Sequence, residues 1–270
     1  DIKRSNASNR EWPRMAGIDK MVLAMFCFLH YFCPTTMQNH HTEIIDLSQE
    51  IYHGMPVYSA LPPVGISTYA THEAWEGLEN ASTQTPSVLK LEMSEHSGTH
   101  VDALSHMGRP YAAQSIDNMP LTMFYTGGIC LDFRHKGLSE MIHAHEIEAA
   151  IADTGLAVQK GDTILLCTDH YRKHFATENW PNGPGISAEA ARLLGGMGIA
   201  AFGVETMSPG IPKVSNKAVH QICGELGFTH YENLINLNRL LGRGRFRFIA
   251  LPLKIRGGTG SPVRAVAVFE

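Results

Sequence analysis

A chain of 270 residues, 44% hydrophobic and 18% charged, can bury a large core and has the make-up of a soluble globular protein. A net charge of −4 and a pI near 6.4 leave no basic surface for nucleic acid or an anionic membrane, so neither is expected as a partner. Five cysteines, an odd number without CxxC spacing, argue against a disulfide framework and suit a reducing, cytoplasmic location.

Residues 1–20 are polar and carry no apolar period. Met21–Pro34 is an apolar run interrupted by His30, shorter than the roughly 20 residues of a transmembrane helix. Lys20 ahead of it gives a loose likeness to a signal peptide, but no small-x-small cleavage site follows closely. A third reading, translation beginning at Met37, agrees with the absence of methionine at position 1 and is the one adopted. Residues 1–42 are therefore expected to be an extension outside the core. Residues 43–270 are expected to form one domain, because no repeat or low-complexity linker divides them.

Glu43–Ser48 reads as a short strand, and Gly54-Met55-Pro56 turns the chain. Residues 59–86, rich in Pro, Gly, Ser, Thr and Asn, read as one long loop, a lid or substrate wall. Tyr58, Tyr69 and Trp75 either stack there on a flat substrate or fill core. Val88–Met93 then delivers the chain into the stretch that holds the chemistry.

That stretch is His96-Ser97-Gly98-Thr99-His100-Val101-Asp102-Ala103-Leu104-Ser105-His106. Imidazole nitrogen and carboxylate oxygen are ligands that Zn²⁺ and Mn²⁺ accept. Gly98 lets the backbone bend between them. One histidine here would be a solvated loop residue; four ligand-type side chains around a glycine favour a metal site. A strand ending near His96 and a turn would aim His96, His100 and Asp102 at one point.

The pattern His-x-Gly-Thr-His-x-Asp-x-x-x-His resembles the signature of the metal-dependent cyclase family, which includes bacterial kynurenine formamidase and isatin hydrolase. The resemblance implies that His96, His100 and Asp102 bind metal and that His106 is catalytic. Leu104 stands where many members have proline, a departure that touches no ligand. The opening Asp-Leu-Ser strand and Gly-Met-Pro turn are similar to the family's, and the likeness runs from about residue 44 to 268. It implies an α/β fold, a single swivelling β/β/α-type domain, and a homodimer.

Beyond the motif, Gly128–Phe133, Thr163–Cys167 and Ile199–Val204 are apolar runs bounded by Gly or charge, hence buried strands, with Cys130 and Cys167 as small hydrophobes. Ala144, Ile147, Ala150, Ile151 and Thr154 recur at helical spacing before Gly155. Ser187 caps a helix through Leu194 that Gly195-Gly196 stops. Ser215 caps another over 216–223, ended by Gly224. Strands alternating with helices predict an α/β domain. The Gly242-Arg243-Gly244-Arg245 run reads as a solvated turn. Leu251–Val268 reads as two strands joined by a glycine-rich loop.

His220 and Glu232 are unremarkable by themselves; the resemblance adds them to the ligand set and implies one or two Zn or Mn ions. The expected activity is hydrolysis of an amide C–N bond in a small aromatic or cyclic amide, of the kynurenine formamidase type. Water activated by the ion attacks the carbonyl, and His106 serves as general base and then acid. Isatin-type ring opening is the alternative, and a non-catalytic metal-binding protein on the same scaffold a second, against which His106 argues. No Gly-x-Ser-x-Gly occurs, so a serine triad is not expected.

Overall fold

β-Branched and aromatic residues gathered in short runs build one large sheet at the centre of the described residues. The computed structural model describes residues 42–75 and 85–270. Its strands begin with β1 (Glu43–Asp46), β2 (Gly65–Ala70), β3 (Val88–Glu92), β4 (His100–Asp102) and β5 (Tyr125–Asp132). After β6 (Met141–Ile142) come α1 (Ala144–Thr154), β7 (Thr163–Cys167), α2 (His170–His174) and β8 (Gly185–Ile186). Then follow α3 (Ala188–Gly196), β9 (Ala201–Val204), α4 (Asn216–Leu226), β10 (Thr229–Glu232), β11 (Phe246–Ile249), β12 (Gly260–Pro262) and β13 (Val266–Phe269).

Among the described residues, nine strands form one sheet in the order β1-β13-β11-β5-β7-β9-β10-β4-β12. The centre, β5-β7-β9-β10, is parallel, and the strands to either side pair antiparallel. Parallel strands are covered on both faces and read as continuous apolar runs. Accordingly all five residues of β7, Thr-Ile-Leu-Leu-Cys, are buried. Helix α1 packs on β5 and α4 on β10, with α3 between them. The result is a mixed α/β fold with a curled sheet, the expected class.

Three expectations about element ends are corrected. The helix capped by Ser187, whose Oγ accepts from Ala190 N (3.2 Å), runs through Gly195-Gly196. A Cβ at Gly195 would sit 2.5 Å from Leu226, so this glycine serves packing rather than termination. Helix α4 likewise continues past Gly224, where a Cβ would overlap the Tyr111 ring. It ends at Gly227, whose left-handed backbone (φ +73°) closes it. Ser215 makes no cap bond; its hydroxyl donates to Ile186 O and accepts from Ile211 N.

Two loop readings also change. The 59–86 stretch contains β2, paired antiparallel with β3; residues 76–84 lie outside the described part. In the C-terminal stretch residues 251–259 form no strand; the two strands follow Gly257 and Gly258, β12 pairing with β4 while β13 lies between β1 and β11. Gly257, Gly258 and Gly260 thus carry the chain to the edge beside the motif. The readings of Met21–Pro34 and of Met37 fall outside the described residues. Among the described residues, no helix is long and apolar enough to cross a membrane.

Candidate metal centre

Strands β4 and β10 build the site. They pair antiparallel with Glu232 opposite His100 and Tyr231 opposite Val101. Side chains alternate across a strand, so His100 and Asp102 share one face, and His230 and Glu232 meet them on it. His96 arrives from the preceding turn, where Gly98 takes φ +66°. That conformation aims the Gly98 carbonyl at the site, where it accepts from His100 Nδ1 (2.9 Å) and Asn233 Nδ2 (3.1 Å).

Asp102, 1% exposed, is the hub. Its Oδ1 lies 2.8 Å from His96 Nδ1 and 3.4 Å from His100 Nε2. Its Oδ2 lies 3.2 Å from His230 Nε2, 3.5 Å from His220 Nε2 and 3.7 Å from His106 Nε2. Glu232 places Oε1 3.2 Å from His230 Nε2 and Oε2 3.5 Å from His100 Nε2. Two candidate ion-holding groups result among the described residues. One is Asp102, His220, His230 and Glu232; the other is His96, Asp102 and His106. His100 belongs to neither, although its Nε2 faces both carboxylates. Every residue named from the sequence is therefore in one place.

The nitrogens are set for coordination. His220 donates from Nδ1 to Asn216 O (2.8 Å), one helical turn back, leaving Nε2 toward Asp102. His96 Nε2–H donates to Thr259 Oγ1 (3.0 Å), whose hydroxyl proton goes to Glu95 Oε1. That chain leaves the lone pair of His96 Nδ1 on the site side. Such outer bonds fix the tautomer of metal-ligating histidines. Gly260 makes room: a Cβ there would lie 2.6 Å from His96 Cε1.

Charge tests the fit. Asp102 and Glu232 are both buried, and no Lys or Arg among the described residues pairs with either; only imidazoles face them. Buried carboxylates need a compensating cation. Burial alone would raise the Asp102 carboxyl, but the His230 charge and bonds from His100, His220 and His230 hold it well below the usual range. Burial lowers the His100 and His230 imidazoles; the two carboxylates more than reverse this, raising both. A divalent ion fits this donor set.

His106 differs from the rest. It is 39% exposed, on a short 3₁₀ turn (Leu104–Met107), and burial of its ring lowers its pKa despite Asp102. It lines a cavity of about 260 Å³ with His96, Asp102 and His220, where Tyr58, Leu61 and Met207 supply apolar wall. Tyr69, by contrast, is 74% exposed on β2.

His230 is the residue missed from sequence. The available signal is the pattern His-x-Glu in a strand, facing His-x-Asp in its neighbour, but the pairing of segments 130 residues apart has to be known first.

A family model described as "Putative cyclase" matches residues 45–210. The chain belongs to this cyclase family. It is 27% identical over 194 residues to a kynurenine formamidase of Salinibacter ruber, covering 71% of this chain and 84% of that protein. A kynurenine formamidase of Paracidovorax citrulli is 29% identical over 226 residues, 82% and 94% of the two chains. An isatin hydrolase of Roseibium aggregatum is 26% identical over 194 residues, 66% and 73%. Among solved structures, an isatin hydrolase bound to the product analogue thioisatinate shares the fold, with TM-score 0.76 at 20% identity over 93% of this chain and 99% of that chain.

Proposed function

We propose that this protein is a metal-dependent hydrolase of an amide C–N bond in a small aromatic amide, of the kynurenine formamidase type. The carrying observation is His106: a half-exposed imidazole, with its pKa lowered by burial, on the cavity side of a buried His/Asp/Glu cluster. His96, His100, Asp102, His220 and Glu232 are the residues that hold a divalent ion, Zn or Mn, in this reading. When bound, such an ion lowers the pKa of water from 15.7 to about 7 and polarises a carbonyl.

The chain's own residues do the rest. His106, neutral at pH 7, accepts a proton from the attacking water at Nε2 and returns it to the departing amine nitrogen. Tyr58, Leu61 and Met207 hold an aromatic ring beside it. The outer bonds from Gly98, Asn216 and Thr259 keep the imidazoles from turning away. The curated formamidase relatives support this reading, and the isatin hydrolase relative supports ring opening of a cyclic amide as the second. The apolar side chains that β2 and β3 leave exposed, Tyr69, Leu89 and Leu91, suit a homodimer, which light scattering tests.

The test offers metal-loaded protein N-formylkynurenine and isatin and follows their ultraviolet spectra. Formamide hydrolysis is expected to have the higher kcat/KM. A value at least tenfold higher for isatin, about 1.4 kcal/mol in transition-state binding, reverses the order.

A further inference from the structure

Resting on the metal reading above, we infer that His230 is a further ligand, which closes the Asp102–His220–Glu232 group into a four-donor site. The two oxygens of Asp102 point to different neighbours: Oδ1 to His96 and His100, Oδ2 to His220 and His230. Around Oδ2 the four donor atoms lie within 4.8 Å of one another. A tetrahedral zinc with N and O ligands at about 2.1 Å has donor–donor edges of roughly 3.4 Å. Three edges here measure 3.2 Å (His230 to Asp102), 3.2 Å (His230 to Glu232) and 3.5 Å (His220 to Asp102).

His230 is placed for this and for little else. Its side chain is fully buried, and it lies behind the substrate cavity rather than lining it. The ring meets His220 edge-on at 4.8 Å and Phe202 at 5.6 Å, while Nδ1 faces only the Cys223 sulfur at 3.9 Å. Closed four-donor sites hold ions structurally, whereas catalytic sites keep a position for water. His230 supplies the fourth donor from behind, while Asp102, His220 and Glu232 line the same cavity as His96, His100 and His106. The rival role is an imidazolium that neutralises Asp102 and Glu232 in place of an ion.

Two measurements decide. In a crystal structure of the zinc-loaded wild-type protein, His230 Nε2 is expected about 2.0–2.1 Å from an ion. In His230→Ala, competition with a chromophoric chelator is expected to show at least a tenfold loss of affinity for one ion. With Co²⁺ as probe, the visible bands of a four-coordinate ion should weaken. An ion present with His230 beyond about 3 Å assigns the rival role and overturns the inference while the metal reading stands. Unchanged stoichiometry and affinity in a folded His230→Ala does the same. A wild-type protein that takes up no divalent ion overturns both. If His230→Ala fails to fold, the wild-type crystal structure decides alone.

Discussion

His106 and Asp102 stand four residues apart and face each other at 3.7 Å, yet their substitutions should part cleanly. Removing the His106 imidazole leaves every bond among the buried cluster in place. His106→Ala is therefore expected to keep its metal content, by elemental analysis, while turnover falls roughly 10²–10⁴-fold. Loss of metal in that variant would make His106 a ligand, as its grouping with His96 and Asp102 permits. Asp102→Ala should do the reverse, since one carboxylate serves donors on both sides. Its protein is expected to purify with sharply less metal, and a variant binding ions as tightly as the parent would remove Asp102 from the centre. Both residues are legible in sequence because they sit at fixed offsets around one glycine. His230 is not, for a lone histidine in a strand carries no mark of the strand it will pair with.

At the scale of elements, the sequence marks where strands and helices occur better than where they end. Gly195-Gly196 and Gly224 read as stops, and both lie inside helices. What a single sequence does not show is that two of these glycines face a partner, Leu226 for Gly195 and Tyr111 for Gly224, too close for a Cβ, while Gly196 faces open space. Gly260 is the case that matters for chemistry. Strand β12 lies against β4 with Gly260 opposite Asp102, and the His96 ring occupies the space above it. Gly260→Ala is expected to push His96 off Asp102 and lower metal content and activity together. Far-ultraviolet circular dichroism should stay nearly unchanged, because the two shortest contacts are with the His96 ring and the Val101 carbonyl, at 3.0 Å, has only to give by a few tenths of an ångström. A Gly260→Ala protein with full metal would mean that His96 shifts without loss of a ligand.

For the whole molecule, the parallel centre is the part most legible in sequence, since β5, β7 and β9 each announce themselves as buried apolar runs. Their C-terminal ends hold a polar device that pattern reading passes over. Glu205, 2% exposed just after β9, accepts through Oε2 from Thr168 N (2.7 Å), Thr168 Oγ1 (3.0 Å) and Asp169 N at the end of β7. Those bonds favour its charge, but burial outweighs them and pushes the carboxyl up to about 7 from 4.5. A raised carboxyl pKa means that the folded protein binds a proton the unfolded chain has lost. Between those two values unfolding releases that proton, so the contribution is present below 4.5, falls as pH rises, and is gone above about 7. The gap is worth roughly 3 kcal/mol. Glu205→Gln keeps the shape and an oxygen able to accept the same three bonds, and it does not titrate. Other groups titrate alike in both proteins, so the difference between them isolates Glu205. Urea unfolding of the two in chelator should give stabilities that diverge by roughly 3 kcal/mol in favour of Gln from about pH 5 to about pH 8. A difference that stays constant across that range would mean that Glu205 titrates in the folded protein as it does in the unfolded chain.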